Sequence, residues 1–147
     1  MNVQPFIRKA NYYETDQMGI IHHSNYIRYF EEARIHFMNE LGFGYDKVVA
    51  GGVDIAVLEV RCRYKTMVRY GDTMRIHVTI KELTPARLVV GYRIEDNETG
   101  ELKTTGESTH CFLSCGEHRV VRLSKTLPEL YGLFEQCATR KQAEGEA

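Results

Sequence analysis

Between Asn25 and Leu41 the apolar residues Tyr26, Phe30, Ala33, Phe37 and Leu41 recur at steps of four, three, four and four, while Arg28, Glu31, Glu32, Asn39 and Glu40 fill the other faces. That period predicts an amphipathic helix of about four to five turns. Ser24 or Asn25 can accept a hydrogen bond from the open N–H groups of its first turn, and Gly42 can take the left-handed conformation just past its end. The pattern then changes to period two. Leu58, Val60, Cys62 and Tyr64 alternate with Glu59, Arg61, Arg63 and Lys65, and Met74, Ile76, Val78 and Ile80 alternate with Arg75, His77, Thr79 and Lys81. Both runs predict half-exposed strands. Turn chemistry at Tyr70-Gly71-Asp72, Glu82 to Ala86 and Asn97 to Gly100 separates these runs from further strands over Arg87 to Ile94 and Leu102 to Ser114. A short fifth strand is expected over Arg119 to Arg122, and a short helix over Pro128 to Phe134.

One long helix and an antiparallel sheet of about five strands predict an α+β fold in which one sheet face buries the helix's apolar stripe. A long strand left at the sheet margin favours pairing with another subunit. The 147 residues suit a single domain spanning 1–147, with about 136–147 as a flexible tail whose polar end, Lys141 to Ala147, is expected to fray. At 43% hydrophobic and 27% charged the chain is too apolar for disorder. A formal net charge of −1 gives no global attraction to nucleic acid, and no basic recognition segment or helix-turn-helix is evident. Cys62, Cys111, Cys115 and Cys137 form no CxxC pair, which points to free thiols. With no signal-peptide pattern at the N-terminus and no apolar run near the ~20 residues of a membrane span, the expected compartment is the cytoplasm.

The chemistry concentrates in Tyr13-Glu14-Thr15-Asp16-Gln17-Met18-Gly19-Ile20-Ile21-His22-His23-Ser24-Asn25-Tyr26. A metal site is disfavoured, because adjacent histidines diverge and neither HExxH nor a Cys/His cluster supports them. Two readings stay open. Asp16 is a natural turn residue ahead of Met18-Gly19, with His22 and His23 as ordinary polar groups before a helix. Alternatively, backbone N–H groups at the helix start bind a carbonyl oxygen that becomes negative during acyl transfer, while Asp16 attacks that carbonyl or activates water.

Tyr13-Glu14-Thr15-Asp16, Gly19, His23, Asn25-Tyr26 and Tyr29-Phe30-Glu31-Glu32-Ala33-Arg34, followed by Val60 to Tyr64, Tyr70-Gly71-Asp72 and Arg122-Leu123, resemble the hotdog-fold acyl-CoA thioesterases of the 4-hydroxybenzoyl-CoA thioesterase type, in particular their broad bacterial acyl-CoA branch. The resemblance implies one long helix wrapped by the sheet, with sites formed where two protomers join their sheets. It places the family's catalytic aspartate on Asp16. It places on His23 the residue whose backbone N–H polarises the thioester carbonyl. His22 stands where an aromatic residue is common, a departure that leaves its role open. Gly19, His22 and Tyr26 are the accompanying substrate-side candidates.

The implied reaction is hydrolysis of an acyl-CoA, or of an acyl carrier protein thioester, to a free acid and thiol, with no cofactor and no metal. The implied assembly is a homodimer or homotetramer that takes no nucleic acid partner. Coenzyme A carries phosphates, so Arg61, Arg63 and above all Arg87, beside the Thr84-Pro85-Ala86 turn, are its candidate cations, each equally readable as a solvated surface charge. The glycine-rich segment Gly42 to Val53 is a candidate mobile lip over the acyl group. A hotdog dehydratase or hydratase, or an acyl-CoA binding module without catalysis, are the alternatives.

Overall fold

The computed structural model describes residues 3–146, with side chains through residue 138. Strand β1 (Phe6–Lys9) leads through a 3-10 turn at Tyr12–Glu14 into helix α1 (Ser24–Glu40) and short helix α2 (Tyr45–Ala50). Strands β2 (Val53–Tyr64), β3 (Thr73–Thr84), β4 (Arg87–Asp96) and β5 (Leu102–Ser114) follow, and helices α3 (Leu123–Thr126) and α4 (Pro128–Glu146) close the described chain. The strands form one antiparallel sheet in the order β1-β3-β4-β5-β2.

The period-four stripe lies where its spacing requires. Tyr29, Phe30 and Ala33 of α1 are fully buried, and Tyr26 and Phe37 nearly so. The facing residues are inward-pointing strand positions in register, such as Ile76 opposite Ile94 and Ile80 opposite Val90. Gly106 of β5 lets the helix approach closely. A Cβ there would stand 2.5 Å from the Phe30 ring and 2.8 Å from the Arg61 carbonyl oxygen. Without it, Phe30 stacks on Tyr92 with centroids 4.3 Å apart and planes 9° from parallel.

One polar chain crosses this apolar interior. Arg34 Nη1 donates to the Tyr92 hydroxyl at 2.9 Å, that hydroxyl lies 2.5 Å from Ser108 Oγ, and Ser108 Oγ lies 2.7 Å from His110 Nε2. His110 is 1% exposed. Burial, and then the Arg34 charge, push its pKa down to about 4.

Several elements differ from the sequence expectation. The fifth strand is β1 rather than Arg119 to Arg122, where the chain makes only an isolated bridge between Leu113 and Val120 after a left-handed His118. Segment 42–53 holds helix α2, anchored by the fully buried Val48, rather than a lip of open loop. Helix α4 extends well beyond Phe134, and the expected fraying at Lys141 to Ala147 falls on positions whose side chains lie outside the described residues. A register shift between Val57 and Glu59 breaks the alternation of β2, leaving Leu58 62% exposed. No helix among the described residues is long and apolar enough to cross a membrane.

Candidate active site

Asp16 opens a tight turn. Its N–H donates to the Ile20 carbonyl at 2.8 Å, its carbonyl accepts from the Gly19 N–H at 3.1 Å, and its Oδ1 accepts from the Met18 N–H at 2.8 Å. Gly19 sits at φ +75°, a conformation that costs a residue with a side chain about 1–2 kcal/mol. Asp16 therefore does the turn work that its position suggests, while its other carboxylate oxygen keeps no partner among the described residues. The turn is pinned to the body by a Thr15–Ile21 bridge and by the Ile21 N–H, which donates to the Val68 carbonyl at 2.8 Å.

The returning arm enters α1. The Ser24 N–H donates to the His22 ring at Nδ1 (3.2 Å), and the Ser24 hydroxyl lies 2.9 Å from the same nitrogen. The imidazole of His22 thus caps the helix, a role that a serine or asparagine side chain was expected to fill. Its ring stacks on that of His23 with centroids 4.1 Å apart. The His23 N–H has no acceptor among the described residues, at the start of a 17-residue helix whose dipole favours negative charge. On the far side the Tyr64 hydroxyl donates to the His23 carbonyl at 3.2 Å. Burial and the neighbouring Cys62 push the Tyr64 pKa up to about 12, so it remains a donor at neutral pH.

Behind the turn lies a residue to which the sequence pattern assigned no role. The carboxylate of Glu14, 5% exposed, accepts from Arg8 at 3.0 and 2.8 Å, from the Tyr29 hydroxyl at 2.9 Å and from the Asn11 N–H at 2.8 Å. Burial opposes its charge, but these donors hold it below the usual carboxylate range. Glu32 accepts from the outer edge of Arg8 at 2.9 Å. The spacing of Asn11 and Glu14, a polar residue followed three positions later by glutamate, was the available signal.

The other expected site residues separate into groups. Tyr26 is 3% exposed and packs edge-on against Tyr29 and Tyr64, so it supports the site from within instead of facing a substrate. Arg61 and Arg63 join Lys81 and Arg93 along a groove of about 760 Å³ on the sheet, floored by Thr79, Gly91, Thr105 and Gly106. Glu107 pairs there with Arg61 at 2.8 Å and with Lys81. Arg87 lies outside this groove, at the start of β4 beside the chain leading to α3. Among the described residues no group of three or more His, Cys, Asp or Glu side chains is placed to hold a metal ion.

The model of the thioesterase-like superfamily matches residues 11–130, a span that contains the turn, α1 and all four long strands. The chain belongs to that superfamily. Like its other members, this thioesterase-like chain has the hotdog fold, and the chain is a thioester hydrolase. An Aquifex aeolicus (strain VF5) relative with a provisional esterase name is 35% identical over 128 residues, 86% of this chain and 97% of its own length. The provisionally named acyl-CoA thioesterase YneP of Bacillus subtilis (strain 168) is 31% identical over 88% of this chain and 93% of its own. Among solved structures, a DHNA-CoA thioesterase from Staphylococcus aureus superposes with a TM-score of 0.89 at 28% identity, covering 97% of this chain and 94% of its own.

Proposed function

We propose that this chain hydrolyses acyl-CoA thioesters, with the His23 N–H binding the thioester oxygen and Asp16 acting on the carbonyl carbon. The observation that carries the proposal is the open N–H of His23 at the head of α1, on the returning arm of the turn that Asp16 begins. A backbone donor with no acceptor of its own favours the tetrahedral oxyanion over the ground-state carbonyl. Asp16 either takes a proton from water as that water attacks, or attacks directly to give an acyl-aspartyl anhydride that water then opens. In both routes the C–S bond breaks, the thiol leaves with a proton and the acid is released.

We assign the phosphates of coenzyme A to the Arg61–Arg63–Lys81–Arg93 groove, where four cations line the walls with Glu107, although Arg61 also pairs with Glu59 at 3.3 Å and Arg93 with Glu95 at 2.9 Å beside it. The assembly we infer is a dimer through β2, whose outer edge has no strand beside it among the described residues. Free thiols at Cys62, Cys111 and Cys115 accord with a reducing, cytoplasmic setting.

Thiol release from short-chain, long-chain and aromatic acyl-CoAs tests the activity. Asp16→Asn should lower kcat by about a hundredfold or more, and solvent oxygen-18 entering Asp16 in a single turnover would distinguish the anhydride from activated water. Full activity in Asp16→Asn would remove Asp16 from its role. Hydration of crotonyl-CoA without thiol release would replace hydrolysis by the hydratase alternative.

A further inference from the structure

The peptide that carries the His23 N–H is held entirely from its other end. Its carbonyl, that of His22, accepts from the Asn25 N–H at 3.0 Å and stands 3.4 Å from Asn25 Nδ2. The same Nδ2 donates to the Glu14 carbonyl at 2.9 Å, which also accepts the His22 N–H at 2.9 Å. Asn25 is 7% exposed and Glu14 5%, so water does not substitute freely for either. Glu14 is fixed in turn through its side chain by Arg8 from β1 and by Tyr29 from α1.

We propose that Glu14 and Asn25 form a buried clamp that aims and polarises the His23 N–H relative to Asp16, and are positioning residues for thioester hydrolysis. The proposal rests on the assignment of the His23 N–H as the oxyanion donor. Two physical effects act together. Hydrogen bonds to an amide carbonyl draw electron density from its nitrogen and strengthen the N–H as a donor. The joint at Glu14 also sets the spacing of the two arms: Asp16 lies two residues along one, and His23 one residue beyond His22 on the other. A displacement of about 1 Å in a reacting group can lower a rate by about a hundredfold. A carboxylate suits the joint better than an amide, because a glutamine would turn an NH₂ towards donors it cannot accept from.

Asn25→Ala removes the side-chain donor while leaving the helix free to form at an alanine. Kinetics with the preferred acyl-CoA should show kcat lowered by about tenfold to a hundredfold with KM within about twofold, because the donor acts most strongly in the transition state. The amide resonance of His23 should shift in the same variant. Tyr29→Phe, which deletes one donor to Glu14 and keeps the ring, should show a smaller kcat loss of the same kind.

Should Asn25→Ala fold poorly, Tyr29→Phe and the His23 resonance carry the test. An unchanged kcat and an unmoved His23 amide in folded variants would overturn the clamp, as would a rise in KM alone. Asp16→Asn separates this failure from the other: a dead Asp16→Asn beside fully active clamp variants removes only the clamp, whereas a fully active Asp16→Asn removes the assignment beneath it.

Discussion

A neutral imidazole buried against an arginine makes a protein sensitive to acid. The pKa of His110 is about 4 in the folded chain, below the ordinary 6.5 that an unfolded chain would show. Between those values the unfolded state binds the proton and the folded state does not, so stability falls as pH drops from 6.5 towards 4, then levels off; above 6.5 His110 contributes no slope. The slope from this one group is at most about 1.4 kcal/mol per pH unit. Urea unfolding at steps through that window should show it, and His110→Gln should flatten it. Asp16 stood out in the sequence as a candidate because an acid, a glycine and a helix start lie within a few positions of one another, and the family resemblance singled out His23 as its companion. His110 and Glu14 were not, because their character comes from distant partners. Glu14 meets Arg8 six residues before it and Tyr29 fifteen after it, and His110 on β5 feels Arg34 from helix α1, packed on the same sheet face.

Helix α1 and strands β2 and β3 were legible because a 3.6-residue or two-residue period repeats often enough to stand out, and β4 and β5 because turn residues bracket them. Elements that break a period, or are too short to show one, were not. Four residues of β1 carry barely one alternation. The register shift beside Leu58 inserts a residue that no repeat can announce. The packing of α1 on β5 gives a test at this scale. Gly106→Ala pushes a methyl into the Phe30 ring and towards the Arg61 backbone, which cannot yield by a simple rotamer change. The substitution should cost about 1–3 kcal/mol, read as a lower denaturation midpoint. An unchanged midpoint would show that α1 is free to shift away from the sheet.

For the whole molecule, the α+β architecture followed from one helix and one sheet sharing a core, whereas the strand order depends on pairings between distant segments. That order leaves β2 with an open edge along its 12 residues and exposes Val57 and Leu58 beside it, 50% and 62% accessible. Leu58→Lys should therefore shift the assembly towards monomer in sedimentation velocity and, if the sites lie between protomers as the family resemblance implies, lower thioesterase activity with it. A Leu58→Lys protein that keeps both its assembly and its activity would place the interface elsewhere.

The two margins of the sheet are unequal. At one lies the twelve-residue β2, at the other the four-residue β1. If chains pair through β2 as proposed, such a molecule would act as a monovalent unit and saturate at a pair, because the other margin offers only β1, laid along Thr73 to Ile76 of β3, with α4 packed beside that strand. The shortness of β1 is in that sense a chain terminator, a safeguard against fibres in a protein built on one five-stranded sheet.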